Sequence, residues 1–190
     1  VVSRILVTRH LQGTLPEEIE ETVRPVAAIS PGVMGITGIE TGEIIRGIVD
    51  KLHPSLLIAI DALAARRSNR INAAIQMSDT GVAPGAGVGN CRMMLDEENL
   101  GIPVIAIGVP TVVDAATLVN DTMDRILGEM IEQTQECSEF YRMLHSLEQE
   151  EKYQMIADIL GPYTGNMFVT PKEVDAVVDR LANIIANSIN

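Results

Sequence analysis

The sequence predicts an α/β fold, a mostly parallel or mixed sheet flanked by helices. Three features carry that expectation. The stretch Ser55–Arg67, bounded by Pro54, opens as an almost unbroken apolar run and turns at Asp61 into small residues and two arginines. That pattern reads as a strand buried on both faces, with Asp61 at its C-terminal end, where open α/β sheets place their chemistry. Ile102–Gly108 is a second such run, with Pro103 near its start, where a strand tolerates a missing N–H. Stripes of apolar residues at helical spacing alternate with these runs, the signature of βαβ units.

Taken in order, Ile5-Leu6-Val7 reads as a short strand and Thr8-Arg9-His10 as its exit. Residues 16–23 open on Pro16 and gather glutamates around Ile19, a short helix with acids in its first turn. Pro25–Ile29 reads as a strand closed by Ser30-Pro31-Gly32. Thr37 and Glu40 have capping-box spacing ahead of a helix whose stripe is Ile44, Ile45, Ile48, Val49 and Leu52, and which Pro54 ends. Residues 71–78 alternate imperfectly, as in a strand near the sheet edge. Thr80–Asn90 holds four glycines and a proline, and reads as a loop.

After the second core strand, Thr111 and Asp114 are placed to cap a helix whose Ala115, Val119, Met123, Ile126, Leu127 and Met130 face the sheet. An acidic, helical segment is expected over about 132–162, interrupted near Gly161-Pro162. Thr170-Pro171-Lys172-Glu173 combines an N-cap, Pro at N1 and Glu at N3. Val174, Val177, Val178, Leu181, Ile184 and Ile185 then give the last helix its buried face. No linker is long enough to divide the chain, so one α/β domain over residues 1–190 is expected.

Composition narrows the function. Hydrophobic residues are 46%, yet aromatics are 3% and Trp is absent, so the core is aliphatic and a nucleic-acid reader built on stacked rings is disfavoured. A net charge of −12 argues against nonspecific nucleic-acid binding and against docking on an anionic membrane. Cys91 and Cys137 lack metal or redox spacing and suit a reducing cytosol. No run approaches the ~18 apolar residues of a membrane span. The chain opens Val1-Val2-Ser3 without methionine, which suggests a processed protein or a fragment.

Three aspartates are candidates for chemistry. Asp61 ends the most apolar strand and is followed by small residues that leave space around its carboxylate. Such a carboxylate suits acid–base work, but spacing alone equally describes a structural acid that caps the next helix or pairs with Arg66, Arg67 or Arg70. Asp79 lies in Asp-Thr-Gly, an echo of pepsin-like proteases, though a turn-forming aspartate explains it as well. Asp114 fits the N3 acid of its helix. The 80–90 loop matches neither G-x-G-x-x-G nor a P-loop, leaving a structural loop or a weak phosphate cradle as its readings. His10, His53 and His145 lack ligand spacing, and neither a metal nor a cofactor is expected.

Several long segments nonetheless resemble the germination protease family of spore-forming bacteria. They are Ser30–Thr41, Ile58–Ala64, Ser78–Gly81, Pro84–Asn90 and Leu100–Asp114, and the resemblance runs from Leu6 to the last helix. It implies an atypical aspartic endopeptidase that starts the degradation of small acid-soluble spore proteins during germination. It also implies a fold similar to hydrogenase-maturation peptidases, a homotetramer made as a zymogen, and a location in the cytoplasm of the spore core. Of the two aspartates assigned as catalytic in the family, one falls at Asp61 and the other upstream of Val1. Asp79 then becomes a minor alternative. Arg66, Arg67 and Arg70 become candidates to bind acidic side chains of a substrate. Neither nucleic acid nor membrane is an expected partner. Two other readings compete: a nucleotide- or phosphate-binding module using loop 80–90, and a non-catalytic oligomerisation fragment.

Overall fold

A computed structural model describes residues 1–85, 92–132, 149–165 and 167–190. Cys91, Cys137, Phe140, Tyr141, His145 and the first half of the expected 132–162 helix lie outside the described residues. The chain divides into two compact units, Val1–Pro54 with Asp175–Asn190, and Ser55–Val174.

In the first unit the chain ends are tied together. Arg4 pairs with Asp179 at 2.6 Å, Leu6 N–H donates to Asn190 Oδ1, and Asn190 Nδ2 donates to the Arg4 carbonyl. Neither expected strand, at 5–7 or at 25–29, forms; the chain meets instead between Thr8-Arg9 and residues 24–26. Thr8 and Arg9 N–H both donate to the Val26 carbonyl, while the Thr8 hydroxyl donates to Arg24 O and accepts from Val26 N–H. A side chain thus occupies positions that a second strand would fill with backbone.

The helices of this unit are α1 (Glu17–Glu20), α2 (Met34–Thr37) and α3 (Thr41–Leu52). The last helix, numbered α7 below, runs Val174–Ile189. The capping box ahead of α3 does not form: Glu40 stands at the N-cap but makes no side-chain capping bond, and the Thr37 hydroxyl serves Val33 O and the backbone of Ile39. His53, in the left-handed region at φ 47°, ends α3 ahead of Pro54. The buried face of α7 is Ala182, Ile185 and Ala186, whereas Val178 and Ile184 are exposed. Thr170 does not cap α7. Its hydroxyl donates to the Thr111 carbonyl, and the helix opens at Val174.

The second unit is built on a mixed four-stranded sheet of β1 (Leu57–Ala65), β2 (Gln76–Ser78), β3 (Val104–Asp114) and β4 (Phe168–Val169). The order is β1–β3–β2, with β4 paired to the end of β3; β1 is parallel to β3, and β2 and β4 are antiparallel to it. The core follows β3, where Val104, Ala106, Ile107, Val109 and Val113 are all buried. Pro110 lies fully buried within β3, and the β1–β3 register shifts beside it, between Leu63 and Ala64. Proline offers no N–H to a ladder, so the pairing breaks where it stands.

Three sequence expectations for this sheet are corrected. β1 does not end at Asp61; it continues four residues further, to Ala65. Nor is it buried on both faces. Ile58, Ala62 and Ala64 are exposed, because among the described strands β1 has a neighbour on one side only. The strand expected over 71–78 is shortened to three residues, since Ser68–Arg70 form a 3₁₀ turn and Asn72 takes φ 54° with its N–H on the Pro110 carbonyl.

The remaining helices are α4 (Glu97–Leu100), α5 (Ala115–Glu132) and α6 (Gln149–Thr164). Asp114 is the N-cap of α5 rather than its N3 acid: Oδ1 accepts from Thr117 N–H at 2.9 Å and Oδ2 from the Thr117 hydroxyl. The α5 stripe expected to face the sheet is largely outside, with Val119, Met123, Ile126 and Met130 exposed. Polar contacts set the rotation instead. Asp121 Oδ2 accepts from Ser68 N–H, and Asp124 forms an ion pair with Lys152 of α6. α6 runs through Gly161-Pro162 to Thr164, without the expected interruption.

Lys152 has a side chain only 10% exposed. Burial pulls its pKa below the ordinary lysine value, and the nearby Asp121 carboxylate partly offsets this. Removing one partner from such a pair costs more than replacing both by apolar groups of similar size. Asp124→Ala is therefore expected to lower stability to urea by roughly 1 kcal/mol, allowing for the partial exposure of Asp124. The double variant Asp124→Leu with Lys152→Met is expected to lose less than Asp124→Ala, because no charge is left without its partner. Equal losses in the two variants would contradict this account.

Candidate active site

Asp61 sits in the middle of β1, half-buried, opposite Gly108 of β3. Its Oδ1 accepts from the N–H of Ala62 at 2.9 Å. Among the described residues it forms no ion pair, so pairing with Arg66, Arg67 or Arg70 does not explain it. It does not cap a helix either, because the strand continues past it. Both structural roles open from spacing are thereby removed, and the carboxylate remains partly accessible.

Side chains alternate across a strand, and residues in register across a sheet share a face. Ala59, Asp61 and Leu63 of β1 therefore share a face with Ala106, Gly108 and Pro110 of β3 and with Gln76 and Ser78 of β2. Gly108 leaves room there for a neighbour. A Cβ on it would collide with the Leu63 side chain, which leans across the glycine. One cross-strand row thus reads Asp61, Gly108, Gln76: a carboxylate, an apolar floor supplied by Leu63, and a carboxamide. Sequence reasoning passes over Gln76, since no short-range spacing links residues brought together by strand register.

The other candidates fall elsewhere. Arg66 and Arg67 leave β1 directly and Arg70 closes the following 3₁₀ turn; all three are exposed and make no ion pair among the described residues. Asp79 is exposed just beyond β2, three residues along from the row that holds Asp61. Its turn is held by Ser78 and Thr80, whose hydroxyls bond at 2.5 Å, rather than by its own carboxylate. Of loop 80–90, residues 86–90 lie outside the described residues. In the described part, Gly81 (φ 82°) packs against the backbone of Leu95 and Asp96, and Gly85 (φ 73°) lies under the Arg92 guanidinium. Packing and backbone geometry account for these two glycines without a ligand. His10 lies in a 3₁₀ turn and His53 ends α3. Among the described residues no three of His, Cys, Asp and Glu are grouped to hold a metal ion, and no helix is long and apolar enough to cross a membrane.

The fold and site define an α/β protein that carries on its sheet a half-buried carboxylate with no ion pair among the described residues. The germination protease family model matches residues 1–145 and 128–190, and the chain belongs to that family. It is 56% identical over 190 residues to a germination protease of Clostridium perfringens, covering 100% of this chain and 58% of that protein. A Clostridium acetobutylicum germination protease is 54% identical over 190 residues, with the same coverage. One from Bacillus mycoides is 48% identical over 221 residues, covering 100% of this chain and 60% of its own length. The chain therefore spans about three-fifths of the length of these curated relatives.

Gly108→Ala is expected to displace Leu63 and destabilise the protein by about 1–3 kcal/mol, the cost of overpacking a fitted contact. Urea unfolding checks it, and an unchanged midpoint would show that Leu63 yields freely.

Proposed function

We propose that the intact protein carrying this sequence is an aspartic endopeptidase that initiates the degradation of small acid-soluble spore proteins during germination. Family membership along the whole chain is the observation that carries this reading. Asp61 supports it as a carboxylate with neither an ion pair nor a helix to cap among the described residues. Asp61 is one of two catalytic aspartates, and its partner belongs to a segment upstream of Val1. The family resemblance extends the reading to a homotetramer, made as a zymogen and acting in the cytoplasm of the spore core.

The ionised carboxylate takes a proton from water as the water oxygen adds to the scissile carbonyl carbon. The second, protonated carboxyl hydrogen-bonds the carbonyl oxygen as charge develops there. Collapse breaks the C–N bond, and the leaving nitrogen takes up the proton. Two such groups titrate as a pair, so either one alone lacks the coupling that sets their roles. Arg66, Arg67 and Arg70, exposed and free of ion pairs among the described residues, hold acidic side chains of the substrate beyond the end of β1.

The test is cleavage of a purified small acid-soluble spore protein by the native polypeptide. Asp61→Asn is expected to lower kcat by about 10²- to 10⁴-fold, the range of a lost general base. The 190-residue chain alone is expected to cleave little or not at all. An Asp61→Asn protein that works at the wild-type rate would remove Asp61 from the chemistry.

A further inference from the structure

We propose that Gln76 grips the main chain of the substrate on the far side of the Leu63 floor from Asp61. The inference rests on the reading of Asp61 given above and adds a substrate-binding residue to it. On the face that carries Asp61, the residues in register are Ala59, Leu63, Ala106, Gly108, Pro110, Gln76 and Ser78. Besides Asp61, only Gln76 and Ser78 offer hydrogen-bonding side chains there, and the Ser78 hydroxyl is engaged with Thr80. Gln76 is exposed and its carboxamide has no hydrogen-bond partner among the described residues. Its cross-strand neighbour is Gly108, which gives it no side chain to pack against. Its carboxamide is thus available to a ligand on this face of the sheet.

The spacing suits a peptide. Adjacent strands lie about 4.8 Å apart, so two steps across the sheet separate Asp61 from Gln76 by about 10 Å. An extended chain covers that distance in about three residues. A substrate laid across β1, β3 and β2, with its scissile bond at Asp61, brings a neighbouring peptide group over Gln76. A carboxamide carries one acceptor and a two-hydrogen donor, the same complement that a peptide group presents, and so binds main chain whatever the substrate's side chains. The apolar Leu63 between the two polar groups sheds water and leaves the carboxylate and carboxamide as anchors at either end.

The test assays the native polypeptide on a purified small acid-soluble spore protein, comparing wild type with Asp61→Asn, Gln76→Ala and Gln76→Glu. Gln76→Ala is expected to lower kcat/KM about tenfold, the worth of one hydrogen-bonded contact, with an unchanged melting temperature. Gln76→Glu keeps the shape but loses the donor, so it is expected to be equally weak near neutral pH. Its deficit relative to wild type is expected to shrink as pH falls through the carboxyl range, near about 4.3, where a protonated Glu regains a donor. Wild-type kcat/KM in Gln76→Ala, beside an inactive Asp61→Asn, would overturn the Gln76 assignment alone. A Gln76→Glu deficit that stays constant with pH would do the same. An active Asp61→Asn, or a wild type that does not cleave, would overturn the reading of Asp61 and this inference with it.

Discussion

The hydrogen bonding of β3 to three other strands is the constraint on which the second unit depends. β1 runs parallel along nearly its whole length, β2 antiparallel beside its first half, and β4 antiparallel at its last two residues. A strand so enclosed must be apolar along its length, and β3 is buried from Ala106 to Pro110. Because each neighbour is registered against the same strand, residues far apart in sequence acquire fixed relative positions. The row through Asp61 and Gln76 exists only because both are indexed to Gly108.

Around that spine, polar contacts decide orientation where apolar patterning is ambiguous. α5 has apolar residues on more than one face, and its rotation follows Asp121 on the Ser68 N–H and Asp124 on Lys152. In this orientation both half-buried carboxylates have partners, while Val119, Met123, Ile126 and Met130 are partly exposed. The same logic holds where Thr8 completes a meeting of two extended segments with its hydroxyl.

Much of this was legible in the sequence, and the losses have specific causes. The apolar runs at 56–60 and 104–108 identify the two longest strands because an unbroken apolar run of that length is a strong strand pattern, although only the second is largely buried. Their ends are less visible. Ala62–Ala65 pairs with β3 as readily as the residues before Asp61, since alanine carries little information about strand or loop. Thr37 and Thr170 show cap spacing, yet both hydroxyls bond elsewhere, and one sequence cannot say which competing acceptor wins. Asp61 stands out as an acid closing an apolar run. Gln76 does not, because its placement arises from register, which depends on pairing across dozens of residues.

Pro110 gives this register a boundary. With no N–H to offer at that point of the central strand, the ladder with β1 breaks between Leu63 and Ala64, two residues past Asp61. The stretch from Leu57 to Leu63 is thereby a closed segment with seven consecutive Cα pairings. A slip of one residue within it would turn Asp61 to the opposite face of the sheet and bury or expose every neighbour wrongly. Beyond the break the pairing resumes one residue out of step, Ala64 with Val112 and Ala65 with Val113. The sheet thus carries its acid as an indexed position, while the arginine-bearing turn that follows is anchored separately, by Ser68 N–H on Asp121 and Asn72 N–H on the Pro110 carbonyl.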